Sequence, residues 1–164
     1  MNKYLFSILF SSISIISCSQ TKYGIKKIYA FSAERLPGNI PVDAQGNSLY
    51  KGPDTLNTIY IETSGKDIQW NSAWKNGKMY SINAMLIIGL PYEAGIKKSN
   101  NQKVLISAAP GSKLWQLELV PAEGKKKSPV KARPGEIILE GIYKGKKIIQ
   151  KIDKQVELAL PPSY

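Results

Sequence analysis

The sequence predicts an all-β fold, an antiparallel β-sandwich, behind a short N-terminal leader. Three observations predict it. Apolar and polar residues alternate in one run after another, and Gly, Pro and Asn-Gly punctuate the chain between those runs. No segment sustains an apolar period of 3.6 residues with capping residues at its ends, as helix requires. The chain has 164 residues, one domain's worth, and its 43% apolar content suffices for a core without disulfide or metal staples.

The elements follow in order. Residues 1–17 open with the cationic Lys3 and an apolar run from Leu5 to Ile16. Twelve residues cannot cross a hydrocarbon core that takes about 20, so the segment reads as a signal peptide. Residues 18–24 form a polar tether and 25–164 the β domain. Ile28–Phe31 is the first strand, followed by a long loop from Leu36 to Thr55 rich in Pro and Gly. Leu56–Thr63 alternates, with Ile59 and Ile61 on one face. Asn76-Gly77 is the strongest turn signal, since both residues readily take the positive φ of a type I′ hairpin. It joins Trp70–Trp74 to a long strand over Lys78–Ile88. Val104–Ala108 and Leu114–Val120 are separated by Pro110-Gly111. A basic loop, Pro121–Pro134, then leads to a hairpin of Glu136–Tyr143 and Lys146–Ile152 about Lys144-Gly145. Val156, Leu158 and Leu160 form one face of a last strand, stopped by Pro161-Pro162.

Two local resemblances extend this reading. The run Ile15-Ile16-Ser17-Cys18 resembles the lipobox of bacterial lipoproteins, with Ile in place of the usual Leu. The resemblance implies cleavage before Cys18 and acylation of its thiol and new amino group. Several acyl chains, at about 0.8 kcal/mol per buried CH₂, anchor stably where one would be marginal. Ser19 after the cysteine, instead of Asp, resembles the pattern that directs such proteins to the outer membrane, and the protein is expected there, facing the periplasm. Separately, residues 134–147 resemble the late hairpin of immunoglobulin-like envelope domains, which implies an immunoglobulin-like sandwich and says nothing of an activity.

Composition excludes much chemistry. With no histidine and one cysteine, the chain lacks His-based acid–base catalysis, Ser-His and Cys-His nucleophile systems, intramolecular disulfides and Cys/His metal sites. No glycine spacing fits a nucleotide-binding loop, and Gly141-x-Tyr143-x-Gly145 carries no serine nucleophile. Ser72-x-x-Lys75 superficially resembles a serine acyl-enzyme pair, without the Lys-Ser/Thr-Gly element that completes it. Asp43-Ala-Gln-Gly-Asn47 has one carboxylate, too little for calcium, and reads as a turn. No catalytic residue, metal or cofactor is expected.

Charge is lopsided. The chain carries 23 basic and 12 acidic residues, and residues 95–164 hold 14 of the basic and 6 of the acidic ones. Lysine outnumbers arginine, the wrong mix for bidentate phosphate or base recognition, and an exported protein meets no nucleic acid. The expected role is therefore a lipid-anchored, non-enzymatic interaction or structural subunit of an envelope assembly. Cys18 would be the anchor and Lys125, Lys126 and Lys127 candidate contacts for an envelope protein partner. The alternative is a glycan- or small-ligand-binding module. There Trp70 and Trp74, four apart in a strand and hence on one face if no bulge intervenes, would form a stacking platform.

Overall fold

The computed structural model describes residues 22–35, 42–47, 54–65, 67–122 and 126–159. The leader, Cys18, most of the tether, most of the loop 36–53 and Lys125 lie outside the described residues. Ten strands form: β1 (Ile25–Arg35), β2 (Asp54–Thr63), β3 (Gln69–Lys75), β4 (Lys78–Ile87), β5 (Tyr92–Lys97), β6 (Lys103–Ile106), β7 (Lys113–Pro121), β8 (Ile137–Tyr143), β9 (Lys146–Ile152) and β10 (Val156–Ala159). The fold is all-β, as the alternation predicts. Strand β5 is invisible in the sequence because a bulge between Glu93 and Gly95 breaks its period of two. Both central residues of the β3–β4 and β8–β9 hairpins take positive φ, 51° and 76° at Asn76-Gly77 and 49° and 72° at Lys144-Gly145, as type I′ turns require.

The pairing differs from the expected sandwich. All ten strands belong to one ladder, in the order β6-β5-β10-β1-β2-β7-β4-β3-β8-β9. It is mixed, because β10 runs parallel to β1, with Phe31 opposite Val156 and Ala33 opposite Leu158. Alternation determines which side chains share a face, but it does not determine which strand lies beside which.

This single sheet covers itself on both sides. On one face Ala30, Ile59, Ile61, Leu117 and Leu119 of the central strands pack with Ala73, Ile137, Leu139 and Ile148 of β3, β8 and β9 in one buried cluster. The sheet rolls to bring these strands together. Lys75 on β3 donates to Asn57 on β2 at 2.7 Å, although β7 and β4 separate the two strands in the ladder. The link from Ile152 to Val156 also spans only about 14 Å fully extended, so the far edge of the roll lies close to β1. On the opposite face Phe31, Ala33, Tyr60, Leu114, Ile106 and Leu158 form a second cluster under β5, β6 and β10. The Tyr60 and Tyr92 rings lie 5.5 Å apart there. Strand β2 is consequently buried on both sides, from Asn57 through Thr63 apart from the half-buried Thr58.

Strand β4 is the corner of the roll. It pairs with β7 over Tyr80–Ile87, but with β3 only over Lys78–Ser81. A bulge between Trp70 and Ser72 turns β3 away to follow β8. Gly141 sits opposite that bulge, where a Cβ would come 2.8 Å from the Gln69 carbonyl oxygen and 3.0 Å from the Trp70 ring. Gly141→Ala should therefore destabilise the fold by about 1–3 kcal/mol. A urea midpoint unchanged from the parent chain would contradict this account of the corner.

Candidate functional site

The tryptophan pair does not make a platform. The bulge at Asn71 shifts the alternation, so Trp70 joins the core of the roll while Trp74 points to its outer face. Both are buried, at 8% and 1% exposure. Trp74 is covered by the basic loop: its indole Nε1 donates to the Lys126 carbonyl at 2.9 Å, and the Lys126 ammonium lies 5.6 Å from its ring centroid. The stacking surface inferred from their four-residue spacing is thus not formed.

The same loop explains part of the C-terminal charge. Glu140 is buried beside Ser72 on the outer face, and Lys126 and Lys147 each pair with one of its carboxylate oxygens, Lys126 at 3.0 Å. Lys151 lies 3.9 Å from the buried Glu136, whose carboxylate also accepts from the Arg133 amide at 2.9 Å. Lys126 is therefore structural: it neutralises a buried acid and closes the loop over Trp74. Lys127 is exposed without an ion pair among the described residues.

Other candidates resolve simply. Ser72 and Lys75, three apart on a strand, lie on opposite faces of β3, Ser72 with Glu140 and Lys75 with Asn57. They cannot act as a pair. The Asp43 carboxylate accepts from the Gln45 and Asn47 amides at 3.0 and 2.8 Å and so closes a turn. The buried Glu62 accepts from the Ala109 amide at 3.0 Å, tying the β6–β7 loop to the central strand. No group of three metal-ligating side chains comes together among the described residues.

Among the described residues the roll leaves a cleft of about 800 Å³ between the starts of β2 and β4, the β3–β4 turn and the end of β7. Lys75 stands in it. Its ammonium donates to Asn57 Oδ1 at 2.7 Å and to Gln155 Oε1 at 2.8 Å, both neutral amides. Gln155 is itself held by donating to the Gly135 carbonyl at 2.8 Å, and Asn76 Oδ1 accepts from the Gly135 amide at 2.8 Å. No carboxylate lies within ion-pair distance of Lys75 among the described residues. Burial lowers its pKa below the ordinary lysine value, and burial raises that of Tyr80, which also lines the cleft. Glu118 and Lys78 also line the cleft, so it carries both signs of charge, with Lys75 held by neutral amides and able to donate a further charge-assisted hydrogen bond. The sequence gives no sign of this, because Asn57, Lys75 and Gln155 meet only when β3 rolls over β2.

The Glu140 cluster yields a pH prediction. Burial raises the Glu140 pKa, but hydrogen bonds from Lys147 and Lys126 and their charges outweigh it and hold the group below the usual carboxylate value. A depressed folded value means that this stabilisation is full above the unfolded pKa of about 4.3 and is lost as pH falls through the lower folded value. Glu140→Gln should cost about 1–3 kcal/mol at pH 7 and flatten the acid limb of stability below about pH 4.5. Urea midpoints measured from pH 3 to 7 check this, and an acid limb identical to that of the parent chain would count against it. The chain matches no family model, no curated protein and no solved structure, so the reading of its site rests on its own residues.

Proposed function

We propose that this chain is a lipid-anchored, non-enzymatic binding subunit of the bacterial envelope. It is held at the periplasmic face of the outer membrane through Cys18 and offers the Lys75 cleft to a protein partner that contributes a carboxylate. The observation that carries this reading is the half-buried Lys75 ammonium in the cleft, whose hydrogen-bond partners among the described residues are the neutral amides of Asn57 and Gln155. The polarity of the fold supports it. The described chain enters β1 at Ile25, opposite Thr63, whereas the cleft opens at the other end of β2, around Thr55–Asn57. An anchor at Cys18 would leave the cleft facing away from the bilayer. The β8–β9 hairpin, in the segment that resembles immunoglobulin-like envelope domains, forms one wall of the roll, and we read the rolled sheet as a relative of that sandwich architecture.

A second reading keeps the anchor and gives the cleft a small anionic ligand, because its volume falls within the usual 300–1,000 Å³ of ligand pockets. The aromatic stacking of a glycan is not part of it, with Trp70 and Trp74 buried.

In-cell cross-linking of the full-length protein, with Cys18→Ala and Lys75→Gln versions beside it, tests the proposal. Glutamine keeps an amide donor for Asn57 and Gln155 but removes the charge. One or two stoichiometric envelope proteins should be captured, lost from Cys18→Ala and weakened about 10- to 100-fold by Lys75→Gln, as for a charge-assisted hydrogen bond. Capture indifferent to both substitutions would overturn the reading. A Lys75-dependent small anion with no protein partner would hand the cleft to the second one.

A further inference from the structure

The end of the molecule from which the tether leaves carries a surface of its own. Tyr23, five residues after Cys18, packs edge-on against Tyr143 at 5.9 Å between ring centroids. Tyr143 precedes the β8–β9 turn, so the chain leaves toward Cys18 beside the tip Lys144-Gly145-Lys146. Lys144 and Lys146 are exposed and have no carboxylate within ion-pair distance among the described residues. They contrast with Lys126 and Lys147, which the Glu140 pair consumes.

The same end is unusually apolar. Ile25 stands opposite Thr63, Thr63 opposite Lys113, and Leu114 opposite Ile87, so the last residues of β4 lie about 15 Å across the sheet from the start of β1. Leu86 near the end of β4, and Ile88 and Leu90 in the segment that follows it, are 40%, 91% and 42% exposed. Asp67, the exposed acid nearby, is neutralised by Lys113 at 2.9 Å. The Lys144 ammonium lies 5.7 Å from the Tyr143 ring centroid, at the same exposed tip as Lys146. Aliphatic side chains flanked by two lysines without acid partners and by two tyrosines match a bilayer interface: the apolar groups enter the acyl boundary and the ammonium groups meet anionic headgroups.

We infer that this end, Ile88 and Leu90 with Lys144 and Lys146, is a seat on an anionic phospholipid bilayer and acts beside the acyl anchor as a second membrane contact. The occupant follows from where the chain leaves and from charge. Residues 18–22 span at most about 14–18 Å, so an anchored Cys18 keeps this end at the headgroups. The seat complements the anchor reading of Cys18, but its own chemistry needs no acyl chain. It would orient the domain, with the Lys75 cleft turned outward.

The two ideas can be tested apart. The ten strands and both buried clusters of the described residues lie within 22–159, so a chain of residues 18–164 with Cys18→Ser retains all of them. At low salt it should sediment with vesicles of phosphatidylcholine containing 30% phosphatidylglycerol and not with phosphatidylcholine alone, and 0.5 M salt should release it. Lys144→Gln with Lys146→Gln should weaken partitioning roughly 20- to 30-fold, about five-fold for each charge near the surface. Ile88→Asn, at an exposed position, should weaken it several-fold. The charge-matched Lys78→Gln with Lys154→Gln, near the cleft end, should change little. Absence of vesicle binding overturns the seat, as does equal loss in the control pair. A concentration-dependent dimer without vesicle affinity would give the surface to a second copy and overturn it as well. Labelled-palmitate incorporation at Cys18 of the full-length protein reads the anchor separately, so vesicle binding without acylation would fail the anchor alone.

Discussion

No α-helix among the described residues covers the sheet, so it must supply its own second layer, and the rest of this structure depends on that constraint. Strands β1, β2 and β7 form the middle of the ladder, and apolar side chains project from both of their faces. Burying Ile59 and Ile61 on one side and Tyr60 on the other leaves nothing but the flanking strands to act as covers. Strands β3, β8 and β9 roll over one face, and β10, β5 and β6 over the other. The bulges in β3 and β5 and the half-paired corner strand β4 are where a continuous ladder accommodates those changes of direction. The hydrophobic term drives the rolling, because each large side chain removed from water is worth roughly 1.5–3 kcal/mol.

The roll also decides what the charges do. It brings the outer face of β3 and β8 under the loop at 126–136, and burying Trp74 there also buries Glu140. A buried carboxylate needs partners, and lysines from two different segments supply them. Part of the basic excess is thus an internal counter-charge rather than a binding surface. Lysines such as Lys144 and Lys146, which face no acid, can act on something outside the molecule.

The two ends of the rolled sheet differ in kind. At the end where β1 begins, Tyr23, Tyr143 and Trp115 pack against the core of the roll, with aliphatic residues and the exposed Lys144 and Lys146 outside them. At the other end the described residues leave a cleft, where Asn57 and Gln155, the latter held by the Gly135 carbonyl, keep the Lys75 ammonium in place. Bilayer contact at one end and anion recognition at the other would make the domain a directional adaptor, and the rigid two-core body between them would fix the distance.

The sequence by itself determined the strand class, the type I′ hairpin at Asn76-Gly77, the hairpin about Lys144-Gly145 and the inward faces of most strands, because period-two alternation and positive-φ turn residues are local properties. Only the tertiary structure decided the rest. One bulge, invisible in the string Gln69-Trp70-Asn71-Ser72, separated Trp70 from Trp74 and removed a stacking platform that spacing alone had suggested. The parallel β1–β10 pair, the consumption of Lys126 by Glu140 and the meeting of Asn57, Lys75 and Gln155 all join residues far apart in the chain. Such contacts depend on which strand folds over which, and that is settled by burying both faces of a single sheet rather than by any local preference.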